Sequence, residues 1–307
     1  MQSLLDPAIL FFVFGAAAGL ARSNLEIPPQ VSRFLSLYLL MALGLKGGFA
    51  LAKSGLTSDV ALSLGCALLL PIVVPAIGYQ VLRRLMSGFD AAAIAATYGS
   101  VSAVTFITAT HYLDGRDVAY GGHMAAALAL MESPAIIMAV ILANAMRRPQ
   151  AVPVAGDVGS AAGVAVAGPA PGAGEAGKTV MQPFTGDLFK GMLAFFLLDM
   201  GLTAARNFGE LRGKPPALLA YAVLGPLAHA SLALALAVLA GLSPGDGALL
   251  MVLAASASYI AVPAVLRYAI PEASPSLYFG LSLGITFPLN ILLGIPLYTS
   301  VAAAVLR

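Results

Sequence analysis

The sequence predicts an all-α integral membrane protein made of two related five-helix halves, with one helix of the second half degenerate or missing. Three observations predict this class. Apolar runs of membrane-spanning length occupy most of the chain, which is 60% hydrophobic and 10% charged. Soluble domains carry about 25% charged residues. Landmark residues recur at a steady offset, and a short polar stretch interrupts one apolar run in each half.

The apolar runs predict nine clear membrane spans. In chain order they cover roughly 7–22, 30–52, 57–82, 89–112, 121–146, 187–206, 215–241, 246–268 and 275–305. The first run has the length of a secretory signal, but Asp6 precedes it and no Lys or Arg does. Such a start is typical of a retained span, so we expect the first run to stay in the membrane.

A segment rich in Gly, Ala and Pro separates the halves. We expect a first repeat at 1–148, a linker or degenerate span at 149–185, and a second repeat at 186–307. With the N-terminus outside, Lys and Arg collect on the inner side of the first half, as the positive-inside rule requires. The second half keeps a slight bias of that sign if Ala151–Gly174 crosses the membrane. We therefore expect a crossing there; the alternative is a lost span.

The repeat is visible in four ordered matches between the halves. The offset stays between 154 and 157 residues for all of them. The matches are Leu43-Gly44-Leu45 with Met200-Gly201-Leu202, the two serine stretches, His111-Tyr112 with Arg267-Tyr268, and Ser133-Pro134-Ala135-Ile136 with Phe287-Pro288-Leu289-Asn290. An inverted arrangement follows if each half has five spans, because an odd number reverses the direction of the second half.

The polar stretches are the candidate binding site. They are Gly99-Ser100-Val101-Ser102-Ala103-Val104-Thr105 and Ala255-Ser256-Ala257-Ser258-Tyr259-Ile260-Ala261-Val262-Pro263. A helix broken at mid-membrane frees N–H groups, which favour anions, and C=O groups, which favour cations. Hydroxyl side chains beside such breaks suit a small oxyanion with a hard cation nearby. The alternative is that small polar residues only let two helices pack closely.

Three ionisable residues fall well inside the spans, namely Lys46, Glu132 and Asp199. Such residues are costly in a bilayer and are usually functional. Glu132 precedes Pro134 by two positions, and we expect it to reach a cation site; the alternative is that it forms a hydrogen bond between helices. For Lys46 and Asp199 we favour a structural role. The scattered histidines and single cysteine predict no metal centre, and no nucleophile or nucleotide-binding motif predicts an enzyme or an ATPase.

At these residues the chain resembles the sodium-dependent bicarbonate transporter family, known best from cyanobacteria. The resemblance is carried by Gly44-Leu45-Lys46-Gly47-Gly48, Gly99–Thr105, Met131–Ala135, Gly209-Glu210-Leu211, Ser256–Pro263, Leu266-Arg267, Ile270-Pro271 and Ser274-Pro275-Ser276. It implies ten spans in two inverted repeats, whose broken fourth and ninth spans cross at the binding site. It also implies an elevator-like cycle, a trimer, and both termini outside.

The resemblance assigns the binding positions residue by residue. They are Gly99, Ser100, Ser102, Thr105, Ser256 and Ser258, with Tyr259 beside them. We expect a sodium ion near Ser102, Thr105, Glu132, Ser256 and Ser258. Some family members carry an aspartate close to where Tyr259 stands, so this residue is where sodium coupling would differ.

The sequence thus predicts sodium-coupled bicarbonate uptake by a multi-pass protein of the inner membrane, with sodium as coupling ion and no other cofactor. Its expected partners are bicarbonate or another small anion, sodium, lipid and further copies of the chain, without nucleic acid. The alternatives are an ion-coupled symporter of another anion or a sodium/proton antiporter. From a different class, a membrane scaffold or a membrane enzyme remains open.

Overall fold

The computed structural model describes residues 7–55, 57–147, 175–207, 213–259 and 261–306, and every regular element among them is helical. The helices are α1 (Pro7–Leu20), α2 (Pro29–Ser54), α3 (Ser58–Leu82), α4 (Gly88–Gly99), α5 (Ala103–Asp114), α6 (Met124–Met146), α7 (Glu175–Thr185), α8 (Asp187–Asn207), α9 (Pro216–Ala240), α10 (Pro244–Ala255), α11 (Ala261–Ala269), α12 (Pro275–Leu281), α13 (Phe287–Leu289) and α14 (Ile295–Val305). Two π-helical turns, Ser282–Thr286 and Asn290–Gly294, join α12 to α14 into one last span.

Long apolar helices make the protein an integral multi-pass membrane protein, as predicted. Within the described residues, six helical stretches are long and apolar enough to cross a bilayer. They are Ser58–Leu82, Gly88–Asp114, Met124–Ala145, Thr179–Arg206, Pro216–Ala240 and Pro275–Val305. The expected crossing by Ala151–Gly174 lies outside the described residues. The end of the segment expected as a linker forms α7, which packs against α2 and α8.

Helices α1 and α8 lie in unusually close contact, because each helix places a glycine against the backbone of the other. A Cβ on Gly15 would come within 2.1 Å of the Leu198 carbonyl oxygen, and one on Gly201 within 2.2 Å of the Phe12 oxygen. Small residues allow membrane helices to approach in this way. The pair therefore forms a tightly fitted unit of the fold.

The span made of α4 and α5 lies inside the protein, away from lipid. Residues 91 to 96 are all fully buried, and the five alanines among them let α4 pack closely against α3 and α6. At the start of α4, the Ser87 hydroxyl accepts the Asp90 N–H at 3.1 Å. At the start of α10, Ser243 accepts the Asp246 N–H at 3.2 Å. These matching N-caps, about 156 residues apart, begin both broken spans.

Pro226 leaves a backbone carbonyl of α9 free where the last span packs against this helix. Pro226 has no N–H, so the carbonyl of Ala222 loses its partner within the helix. The Thr286 hydroxyl donates to that carbonyl at 2.8 Å and accepts the hydroxyl of Tyr98 at 2.6 Å. This contact joins α4, α9 and the last span just before the first polar stretch.

Candidate functional site

The first polar stretch breaks its span. Helix α4 ends at Gly99, and Ser100 to Ser102 run in extended backbone before α5 begins. The hydroxyl of Ser102 caps α5. It accepts two hydrogen bonds from Thr105, one from the backbone N–H at 3.2 Å and one from the side-chain hydroxyl at 2.9 Å. Serine and threonine compete for backbone hydrogen bonds, which favours helix ends over helix interiors.

The second polar stretch breaks its span in the same manner. Helix α10 ends at Ala255, and the hydroxyl of Ser256 donates to the Leu253 carbonyl at 2.8 Å. The hydroxyl of Ser258 then accepts the N–H of Val262 at 3.2 Å, near the start of α11. Ser102 and Ser258 therefore hold corresponding places at the beginnings of the second half-helices.

The two breaks touch each other. The Ser258 N–H donates to the carbonyl of Thr97 at 2.8 Å. The Ser102 N–H donates to the hydroxyl of Ser256 at 2.9 Å. These two hydrogen bonds bring the predicted hydroxyl residues into one buried cluster. Its members are Ser100, Ser102, Thr105, Ser256 and Ser258, together with Tyr259.

Gly99 has a packing role in the site. A Cβ on Gly99 would lie 2.1 Å from Cγ of Pro75, whose ring belongs to α3. No side chain larger than hydrogen fits there without a shift of α3 or α4. Gly99 therefore sets the distance between the first break and α3.

Two hydroxyl groups in the cluster have no hydrogen-bond partner. They belong to Ser100 and Tyr259, and both oxygens are fully buried. The Tyr259 ring packs edge-on against Phe287 at 5.1 Å between centroids, and its hydroxyl lies beside Ser102. A buried polar group without a partner is costly, so a ligand that forms hydrogen bonds with these two hydroxyls would be stabilised there. The two hydroxyls are therefore candidates for contact with a ligand.

Backbone groups add to this binding capacity. The first N–H groups of α5, those of Ala103 and Val104, have no acceptor within their helix. No other described residue accepts from them. They lie at the positive end of the α5 dipole, which favours an anion. The carbonyl of Gly99, at the negative end of α4, likewise receives no hydrogen bond from a described residue and favours a cation.

Two aspartates that the sequence analysis passed over fix the outer ends of the broken spans. Asp90 Oδ1, at the start of α4, accepts the N–H of Ser274 from the loop after α11 at 2.7 Å. Asp246 Oδ1, at the start of α10, accepts the N–H of Gly121 from the loop after α5 at 2.6 Å. The signal was present in the sequence, since Ser-x-x-Asp occurs at 87–90 and again at 243–246.

Asn290 is a further residue to which the sequence analysis assigned no role, although the repeat matched it to Ile136. It lies in the last span, 1% exposed, and its amide nitrogen donates to the Ala255 carbonyl at 2.8 Å. The available signal was an amide side chain inside an apolar span, where a polar group needs a partner.

The sodium prediction for Glu132 is not tested by the contacts around it. Glu132 is half-buried in α6, a helix that packs against α4 and α11. No described residue forms a hydrogen bond with its carboxylate. The side chain of Lys46 lies outside what is described. Within the described part of the chain, no three His, Cys, Asp or Glu residues group to hold a metal ion.

Every regular element among the described residues is helical, and two touching helix breaks of this kind are typical of the binding sites of secondary transporters. The comparison with known families identifies the protein further. The family model of the Na+-dependent bicarbonate transporter superfamily matches residues 7–303, and the chain belongs to this superfamily. Membership confirms the predicted family and implies bicarbonate and sodium as substrates. No curated protein matches the chain.

Proposed function

We propose that this chain carries bicarbonate across the membrane together with sodium, and that both bind where the two helix breaks meet. The observation that carries the proposal is the pair of buried, unpartnered hydroxyls of Ser100 and Tyr259 beside the free N–H groups of α5. Bicarbonate has three oxygens and one proton, so it accepts from these donors and donates once in return. The family to which the chain belongs supports the choice of anion and coupling ion.

The proposed architecture is a pair of inverted repeats whose broken spans cross. The loops held by Asp90 and Asp246 support it, because each aspartate joins the start of one broken span to the end of the other. Two spans joined in this way run in opposite directions. The hydrogen bonds between Ser258 and Thr97 and between Ser102 and Ser256 lie between the breaks, as a crossing requires.

The proposed transport cycle is elevator-like. Hydrogen bonds join the two broken spans, from Ser258 to Thr97 and from Ser102 to Ser256. They support movement of both broken spans as one body that carries the site. The close contact of α1 and α8 supports a second body against which the first slides. We further propose a homotrimer in the inner membrane with the N-terminus outside. The family resemblance and the distribution of Lys and Arg support these assignments.

Uptake of radiolabelled bicarbonate into proteoliposomes tests the proposal. An inward sodium gradient should drive accumulation above the equilibrium level, and the same gradient of choline should not. Accumulation of another anion without bicarbonate uptake would overturn the choice of substrate. Accumulation that is equal in sodium and choline would overturn sodium coupling.

A further inference from the structure

Two hydrogen bonds fix the side-chain amide of Asn290 beside the second break. The hydroxyl of Tyr298 donates to Asn290 Oδ1 at 3.1 Å, and Asn290 Nδ2 donates to the Ala255 carbonyl at 2.8 Å. The amide orientation follows from these two contacts, because only its nitrogen can donate and only its oxygen can accept. Asn290 also begins the π-helical turn Asn290–Gly294, and such turns are frequent at functional sites.

The carbonyl that Asn290 contacts is one that the break sets free. Ala255 is the last residue of α10, so the negative end of the helix dipole lies at its oxygen. A carbonyl at such an end, inside a membrane, is a natural ligand for a cation. Here the partly positive amide hydrogen of Asn290 occupies that position.

The first break lacks this arrangement. The carbonyl of Gly99 corresponds to that of Ala255 at the repeat offset of about 156 residues, and no described residue donates to it. By the match of Pro134 with Pro288, the residue that corresponds to Asn290 is Ile136, whose side chain has no donor. The two breaks therefore differ in whether a protein group already covers the helix carbonyl end.

We propose that the Asn290 amide takes the place of a cation at the second break and thereby limits the number of sodium ions that the site binds. Sodium is named as the ion on the strength of the proposed function. Asn290 is then a residue that sets cation stoichiometry, with Tyr298 as the positioning residue that keeps its nitrogen toward Ala255.

The substitution Asn290→Asp tests this directly. It replaces the donor with a carboxylate oxygen of nearly the same shape, which together with the Ala255 carbonyl makes a cation site. The measurement is the melting temperature of the purified, detergent-solubilised protein in sodium chloride and in choline chloride at equal ionic strength. We expect N290D to gain a sodium-specific rise on the order of 2 °C per tenfold increase in sodium beyond that of the wild type.

Matched variants decide between binding and general charge effects. Asn24→Asp makes the same change at an exposed loop position and should show no gain. Asn290→Leu removes the donor without adding a ligand. It should lower the melting temperature in both salts, and its sodium-specific rise should be smaller than that of N290D, because the freed Ala255 carbonyl gains no second ligand. A sodium dependence of N290D that equals that of the wild type would overturn the proposal.

Tyr298→Phe keeps the test decisive if N290D does not fold. Without the tyrosine hydroxyl the Asn290 amide is free to turn its oxygen toward Ala255, and a smaller sodium-specific rise is expected. Absence of any such rise in folded Y298F would also overturn the proposal. None of these readouts requires transport, so failure of bicarbonate uptake would bear on the proposed function alone.

Discussion

The backbone N–H of Ser258 donates to the carbonyl oxygen of Thr97 at 2.8 Å, across 161 positions of sequence. Thr97 belongs to the last turn of α4, whose carbonyls have no partner within their own helix. The second break thus supplies a donor for a group that the first break set free. Each break is completed in part by the other, and the site is formed only when both halves are assembled.

The hydroxyls at the starts of α5 and α11 provide the first prediction. Ser102→Ala and Ser258→Ala should each destabilise the protein by about 1 kcal/mol, because each loses a hydroxyl that accepts an N–H from the first turn of a half-helix. Both should also lower bicarbonate uptake, since the N–H groups around the site lose their fixed positions. Thermal unfolding and proteoliposome uptake measure these effects. Ser231→Ala is the control, because its hydroxyl is bonded within an exposed helical turn; a loss in S231A equal to theirs would remove the assigned role.

The fit of Gly99 against Pro75 gives a prediction about packing. Gly99→Ala should destabilise the protein by about 1–3 kcal/mol, because the new methyl group overlaps the proline ring. Gly65→Ala in α3 is the control, since nothing lies within 4 Å of its added Cβ. The added substitution Pro75→Ala removes the ring and should recover part of the loss in G99A. If G99A melts like the wild type, close contact with α3 is not what requires glycine.

The two aspartates at the starts of α4 and α10 should respond alike to substitution. Asp90→Ala and Asp246→Ala each remove a carboxylate that accepts two hydrogen bonds. One comes from a backbone N–H of a distant loop, and the other from the hydroxyl of the N-cap serine three residues earlier. Hydrogen bonds to a charged group contribute about 1.5–3 kcal/mol each, so a loss of that order is expected for either variant. Asp59→Ala, in the first turn of α3, lacks such a loop contact and should be nearly neutral. Strongly unequal losses in the two variants would contradict the proposed equivalence.

A salt bridge between the end of α6 and the loop after α11 gives a pH prediction. Arg147 lies 2.9 Å from the Glu272 carboxylate and also donates to the Ala269 carbonyl at 2.8 Å, so it joins α6 to α11. The guanidinium lowers the pKa of Glu272, and the stabilisation is present above the ordinary carboxyl pKa. It is lost as the pH falls through the lowered value.

Glu272→Gln should therefore lower the free energy of unfolding by about 0.2–1 kcal/mol at neutral pH. At a pH well below the ordinary carboxyl range, the wild type and E272Q should have equal stability. Melting temperatures from neutral to acidic pH check this expectation, and a difference that persists at the acidic end would contradict it.

The helices and the positions of both breaks could be predicted from the sequence, because apolar length and small polar interruptions are local signals. The predicted runs at 89–112 and 246–268 correspond to the broken pairs α4–α5 and α10–α11. Which hydroxyls touch could not be predicted, since that depends on how distant helices pack. Ser256 bonds to the Ser102 backbone, whereas the Ser100 hydroxyl is left without a partner.

The contact of Asn290 with Ala255 could not be predicted from the matches between the two halves of the sequence. The proline match placed Asn290 opposite Ile136, and a comparison of what these two side chains can donate would have indicated an asymmetric site. The carbonyl that Asn290 completes belongs to α10, however, and only the folded arrangement brings the last span against it.

The loop contacts of Asp90 and Asp246 predict that the two halves of the chain depend on each other when they are produced as separate fragments. Each contact joins a residue of one half to a backbone N–H of the other. A fragment ending near residue 148 and one starting near residue 149 would each leave the aspartate at the start of its broken span without the loop N–H that it accepts. Separately produced fragments are therefore expected to be degraded, and co-expression of the two should restore a complementing, transport-competent complex.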